Sequence, residues 1–482
     1  MGLVGILIAL GLLIWLAYRG WSVLLLAPAA AVLAAGLAGE PLLARWTQTF
    51  MESAARFIAQ FFPIFLLGAL FGKLMEDSGS VTSIAKYMTE RLGPQRAVLA
   101  VVLAGAIVTY GGVSLFVAFF VLAPMAHELF RSARIPRRLM PAAIALGTTT
   151  FTMSALPGTP AIQNAIPMPF FGTTPFAAPG LGIIAALVMF GFGMWWLSRA
   201  EARARAKGEG YGGAVPYESP TEDLVVRERA TTASTFDPPE AVHGRPGEAG
   251  PPIALAALPL VVVVAVNLVM SLIVLPRLDA DFLAKAEWGS TSLAAVGGVW
   301  AVATALFAAI VVLIAINFSR LPALRDSMDA GANASVLPVL SVASLVGFGS
   351  VVAALPAFEA VRDWVLGIEG GPLVSMAVAT NVLAALTGSA SGGLTIALDA
   401  LGATYLKIAH EHGIDPGLLH RVAVIGAGTL DSLPHNGAVV TLLAVCNSNH
   451  RESYLDIVMV SIVGGLLALA VVIVLGSAAG SF

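Results

Sequence analysis

Long apolar runs separated by short polar stretches fill most of this 482-residue chain. A membrane-spanning helix needs about 20 mostly apolar residues. Runs of that kind predict spans near 3–18, 22–39, 57–75 and 178–198, then near 253–275, 292–316, 335–355 and 454–478. Two amphipathic stretches, 80–93 and 356–368, lie between them. The unit 96–130 bends at Tyr110-Gly111-Gly112 and is too short to cross twice, so it reads as a re-entrant hairpin. The unit 372–409, bent from Thr387 through Gly388 to Gly393, reads the same way. Two further apolar segments, 139–167 and 418–447, are interrupted from within.

The interruptions are alike. Residues 152–161 read TMSALPGTPA and residues 429–438 read TLDSLPHNGA. A proline-broken helix frees backbone N–H and C=O groups that lipid cannot satisfy, so such breaks belong inside protein or around a cavity. Matching breaks in two halves are the sequence pointer to a transporter's binding site. Other anchors recur in the same order. Gly111-Gly112-Val113-Ser114 answers to Gly392-Gly393-Leu394-Thr395, Ile135-Pro136 to Ile414-Asp415-Pro416, and Ala145-Leu146-Gly147 to Val424-Ile425-Gly426. The expected fold is an all-α polytopic membrane protein made of two repeats, 1–198 and 252–482, each with five crossings, one broken, plus one hairpin. An odd number of crossings starts the second repeat on the opposite side, so the repeats are expected to be inverted in topology. Residues 199–251, rich in Gly, Pro and charge, read as a disordered linker to which no chemistry is assigned.

Composition agrees. Mean hydropathy is +0.87, and 11% of residues are charged, against about 25% in soluble domains. A net charge of −3 gives nucleic-acid binding no support, and one cysteine, Cys446, rules out an intrachain disulfide. The apolar N-terminus lacks a basic leader and reads as a first span. Lys and Arg gather on one predicted side, above all Arg131, Arg134, Arg137 and Arg138 and Arg199, Arg203, Arg205 and Lys207. That side is then cytoplasmic, with the linker on it and both termini periplasmic.

Hairpin tips and breaks should meet near the midplane. The candidates there are Thr109, Gly111, Gly112 and Ser114; Thr152, Ser154, Gly158, Thr159 and Asn164; Asn381, Thr387, Ser389 and Ser391; and Asp431, Ser432, His435 and Asn436. Half-helix N-termini with free N–H groups suit a carboxylate, and hydroxyls and amides suit substrate hydroxyls. No Arg or Lys lies inside a break, so a carboxylate would depend on backbone N–H groups. The competing reading of each Ser or Thr is a hydrogen bond to the carbonyl four residues earlier. Asp431 and His435 differ in kind. A charge at mid-membrane costs about 2.5–3.5 kcal/mol, and one of the two is expected to carry a coupling proton. The alternative makes Asp431 a helix cap and His435 a neutral donor. Asp399 is a further buried acid. His410, His412 and His420, with Glu411 and Asp415 beside them, read as solvated surface rather than a metal site. No cofactor is implied. An intramembrane protease fits poorly, because a G-x-S-x-G elbow would need a serine where Ala390 stands.

With its glycine-rich hairpins and the motifs LPGTPAIQNAIP (156–167) and LPHNGAVVTLLAV (433–445), the chain resembles the gluconate permease (GntP) family of the ion-transporter superfamily. The resemblance implies proton-coupled uptake of small sugar acids or hydroxy acids across a bacterial inner membrane. It further implies a homodimer in which a scaffold holds a moving, elevator-like transport domain. Sodium coupling, with oxygens such as those of Asn381 and Ser391 at the hairpin tips, is the competing expectation. Gly158-Thr159-Pro160 stands where gluconate-preferring members have histidine and proline, which points toward shorter acids such as 3-hydroxybutyrate.

Overall fold

The computed structural model describes residues 2–18, 21–212, 250–387, 389–434 and 436–482, and among these every regular element is helical. Seven helices are long and apolar enough to cross a membrane: Leu42–Asp77, Leu115–Ser132, Pro179–Ala206, Ile253–Arg277, Leu293–Arg320, Leu324–Ala353 and His450–Ala479. The pair Ser80–Leu92 and Pro94–Tyr110, bent by 100°, adds an eighth if it is one span. The chain is thus a multi-pass membrane protein.

Three helices outrun their apolar windows. The span expected at 57–75 begins at Leu42. Its early turns carry Arg45, Glu52 and Arg56, which depress hydropathy but pair locally, Arg45 with Glu40 at 3.1 Å and Arg56 with Glu52 at 2.6 Å. The span expected at 335–355 begins at Leu324, and the one expected to end at 198 runs to Ala206. Residues 199–206 alternate alanine with Arg and Glu, all good helix formers. Glu201 and Arg205 lie 2.7 Å apart one turn from each other, a pairing that contributes about 0.2–0.5 kcal/mol.

Ala97–Tyr110 and Leu115–Ser132 form a first helical hairpin, and Gly371–Thr387 and Ala390–His412 a second. Leu42–Asp77 packs along Leu324–Ala353 as a central pair. Helices approach where side chains vanish: a Cβ on Gly147 would stand 2.3 Å from the Val102 carbonyl oxygen, so Met140–Thr148 lies almost backbone to backbone on the first hairpin.

The chain leaving Pro179–Ala206 turns back onto the base of that hairpin. Arg138 bonds Glu209 at 2.8 and 3.2 Å and Asp456 at 2.9 Å. The Tyr211 carbonyl accepts from the Arg137 N–H at 3.0 Å. The Tyr211 hydroxyl pairs with His127, and Arg131 lies over its ring at 5.3 Å. Where the described chain resumes, Gly250 is pressed onto Ser80–Leu92, with no room for a Cβ between it, Ser83 and Gly79. Residues 213–249, the bulk of the expected linker, lie outside the described residues.

Candidate functional site

The tip of the first hairpin rests on the first helix break. Gly112 turns the chain with φ +96°, a conformation that favours glycine. A Cβ there would stand 2.7 Å from Pro160 Cγ. Ser114 then caps the second helix of the hairpin, its Oγ accepting the Phe116 N–H at 3.4 Å. Gly111 packs against Leu260 with no space for a side chain. Tyr110 donates its hydroxyl to the Pro157 carbonyl at 2.8 Å.

The break between Ser154 and Ile162 leaves carbonyls that must find donors. Side-chain amides supply several. Asn267 donates to the Gly158 carbonyl at 3.0 Å. Asn164 donates to those of Thr159 and Pro175 at 3.0 and 3.1 Å. Gly158 gives its N–H to Pro175 at 2.9 Å, and the Thr159 hydroxyl accepts from the Ala161 N–H at 3.3 Å.

The remaining hydroxyls turn inward on their own helices. Thr109 donates to the Gly105 carbonyl at 2.8 Å, Thr152 to Thr148 at 3.3 Å, Ser154 to Thr150 at 3.1 Å and Thr387 to Leu383 at 2.7 Å. Each follows the four-residue back-bonding that competes with a binding role.

A cavity of about 190 Å³ opens at the junction. Thr109, Gly112, Ser114, Pro160 and Gln163 form one wall, and the opposite wall comes from Leu42–Asp77 and Leu324–Ala353. The second break lines a smaller crevice of about 10 Å³, with Asp431, Ser432 and Asn436 facing Thr149. Leu115 and Met153 border both spaces. Asn436 donates to Asp431 Oδ1 at 2.8 Å and accepts the Ala438 N–H at 2.7 Å, so it caps the second half-helix. His435 and Gly388 lie outside the described residues.

The second hairpin tip borders neither space. Ser389 caps its helix through the Gly392 N–H at 3.1 Å and meets Ser391 Oγ at 3.1 Å. Asn381 gives its amide to the Ala377 carbonyl at 2.8 Å while its Oδ1, buried, has no donor. Asp399 accepts a hydrogen bond from Ser350.

Two expectations need correction. His410 and His412 are exposed, but His420 is fully buried. It packs inside the protein because Thr173, at 2.7 Å from Nδ1, and Asn164 Oδ1, at 3.1 Å from Nε2, satisfy both ring nitrogens. No group of metal-ligating side chains forms among the described residues. Arg421, which lies outside both breaks in the sequence, is also fully buried. Its guanidinium reaches the first break from the second half of the chain. It donates to the Ala177 carbonyl at 3.2 and 2.7 Å, to the Ser154 carbonyl at 3.2 Å and to Asn164 Oδ1 at 3.4 Å. A positive charge therefore does stand at a break. No carboxylate pairs with it among the described residues.

Residues 1–189 match the model of the GntP family permease. The chain is 41% identical to the "uncharacterized transporter YxjC" of Bacillus subtilis (strain 168), over 98% of each sequence. It is 37% identical to the high-affinity gluconate transporter of Escherichia coli (strain K12) over 106 residues, which are 21% of this chain and 23% of that protein. Among solved structures, the fold is similar to that of Neisseria gonorrhoeae MtrF, described in a class of antimetabolite efflux pumps, with TM-score 0.55, 13% identity and 90% and 85% of the two chains covered. It is similar as well to the Alcanivorax borkumensis YdaH transporter, with TM-score 0.55, 16% identity and 90% and 89% covered.

Proposed function

The chain belongs to the GntP permease family, and on that premise we propose that it is a proton-coupled symporter for small organic hydroxycarboxylates such as gluconate or 3-hydroxybutyrate. The observation that carries this reading is the cavity at the hairpin–break junction, open to the capped N-terminus of Leu115–Ser132. A helix N-terminus offers N–H groups and the positive end of a dipole to a carboxylate. Gly111, Gly112, Ser114, Gly158, Thr159 and the rest of the first break frame that position, and Asp431 of the second break, on the far side of Leu115 and Met153, carries the proton.

The proposed movement is an elevator. Both hairpins re-enter the membrane and travel with the broken helices as one body, the two repeats being inverted. Arg421, His420 and Asn164 support this, because they bind the broken segments of the two halves to each other. The setting is a homodimer in a bacterial inner membrane, both termini periplasmic. One observation favours a second reading, sodium coupling: the buried Asn381 Oδ1, in the first helix of the second hairpin, is an acceptor without a donor and suits a cation.

The test is uptake into proteoliposomes of labelled gluconate and 3-hydroxybutyrate under an inward proton gradient, with and without sodium. Accumulation of either acid that a protonophore abolishes is the expected result. Accumulation that needs sodium and ignores the pH gradient selects the second reading, and flux without accumulation would make the protein a facilitator.

A further inference from the structure

Among the described residues, Gln163 is the one polar side chain of the cavity wall with no hydrogen bond to its amide. It sits just beyond the first break in the short helix Ile162–Ala165, is 5% exposed and lines the cavity. Its amide has no hydrogen-bond partner among the described residues, whereas the adjacent Asn164 uses both ends of its amide. Its amide atoms are not sealed in the protein interior but open to the cavity, where water or a bound molecule can make the bonds the protein leaves open. The other polar side chains of the wall are committed: Thr109 to the Gly105 carbonyl, Ser114 to the Phe116 N–H and Ser335 to the Ala332 carbonyl. Apart from Ser335, the facing wall, with Ile64, Phe65 and Pro338, is apolar.

We infer that Gln163 is a specificity-determining residue that reads a single substrate hydroxyl. An amide both donates and accepts, as a hydroxyl does. With the carboxylate at the N-terminus of Leu115–Ser132 and the alkyl part against the apolar wall, the site takes a short monocarboxylate bearing one hydroxyl. A polyhydroxylated acid would press several hydroxyls onto carbon and strip them of water without replacement. This rests on the transport reading above and narrows it.

The experiment compares the uptake of 3-hydroxybutyrate and butyrate, with gluconate as competitor, in proteoliposomes of the wild type and of Gln163→Leu. Thermal stabilisation of the purified protein by the same acids is a readout that does not need transport. A site that hydrogen-bonds a hydroxyl discriminates strongly against the analogue lacking it. The wild type should prefer 3-hydroxybutyrate, and Gln163→Leu should lower that preference about tenfold or more, with butyrate uptake kept. Gln163→Asn, keeping an amide on a shorter arm, should fall between and serves as the reporter if the leucine variant does not fold. An unchanged ratio in a folded variant, beside wild-type uptake, overturns the role of Gln163 and leaves the transport reading standing. A wild type that neither takes up nor is stabilised by any of the acids overturns both.

Discussion

Arg421 and Asp431 show how differently two charges on the same stretch of chain are accommodated. Arg421 is fully buried and is satisfied by carbonyl and amide oxygens. Its partners lie more than 240 residues away in sequence, so no local pattern disclosed them. Its one signal was a cation within the apolar run that begins at Leu418. Asp431, by contrast, is partly exposed at the second break and accepts the amide of Asn436. Asn at 431 would keep the shape and still accept from Asn436, so the protein should stay folded, with a stability change of about 1 kcal/mol or less. If Asp431 carries the proton, Asp431→Asn abolishes accumulation against a gradient while exchange of labelled for unlabelled substrate continues. Uphill uptake that still follows the pH gradient in this variant would remove Asp431 from the role.

Among elements, the breaks and hairpin bends were legible because proline and glycine mark them. The break at Pro157 and the turn at Gly112 stand where the residues place them. Helix ends were less so. Salt bridges such as Arg56–Glu52 carry a helix through a polar stretch that a hydropathy window excludes. The use made of the hydroxyls was illegible as well, since back-bonding and substrate binding need the same residues at the same places. Close packing was readable only in part. Gly147 appears in the sequence as a repeat anchor, but the structure gives its reason, the Val102 carbonyl 2.3 Å from where a Cβ would be. Gly147→Val must force Met140–Thr148 off the first hairpin. Overpacking of this kind costs about 1–3 kcal/mol. A lower melting temperature in detergent, with uptake lost in parallel, is the expected outcome, measured by thermal unfolding and size-exclusion chromatography.

For the whole molecule, the family and the all-helical, multi-pass architecture were within reach of one sequence, and the assembly of the cavity was not. The cavity needs Leu42–Asp77 and Leu324–Ala353 as its far wall, two helices whose apolar residues look like any other span. The strap Lys207–Gly212 was hidden inside a stretch read as linker, yet Glu209 and Tyr211 hold it to the base of the first hairpin. Gly250 is held in turn against Ser80–Leu92, which packs on the same hairpin. Contacts between the halves, among them Gly250 on Ser80–Leu92 and Arg138 on Asp456, should therefore bring the two together without a covalent link. Two polypeptides, one ending and the other beginning between residues 212 and 250, should find each other when made in one cell and restore uptake. Arg138→Ala, which removes the bond to Asp456 on the other piece, should weaken that reassembly more than it weakens the intact chain. An interruption of the gene would in this way leave a working two-subunit carrier.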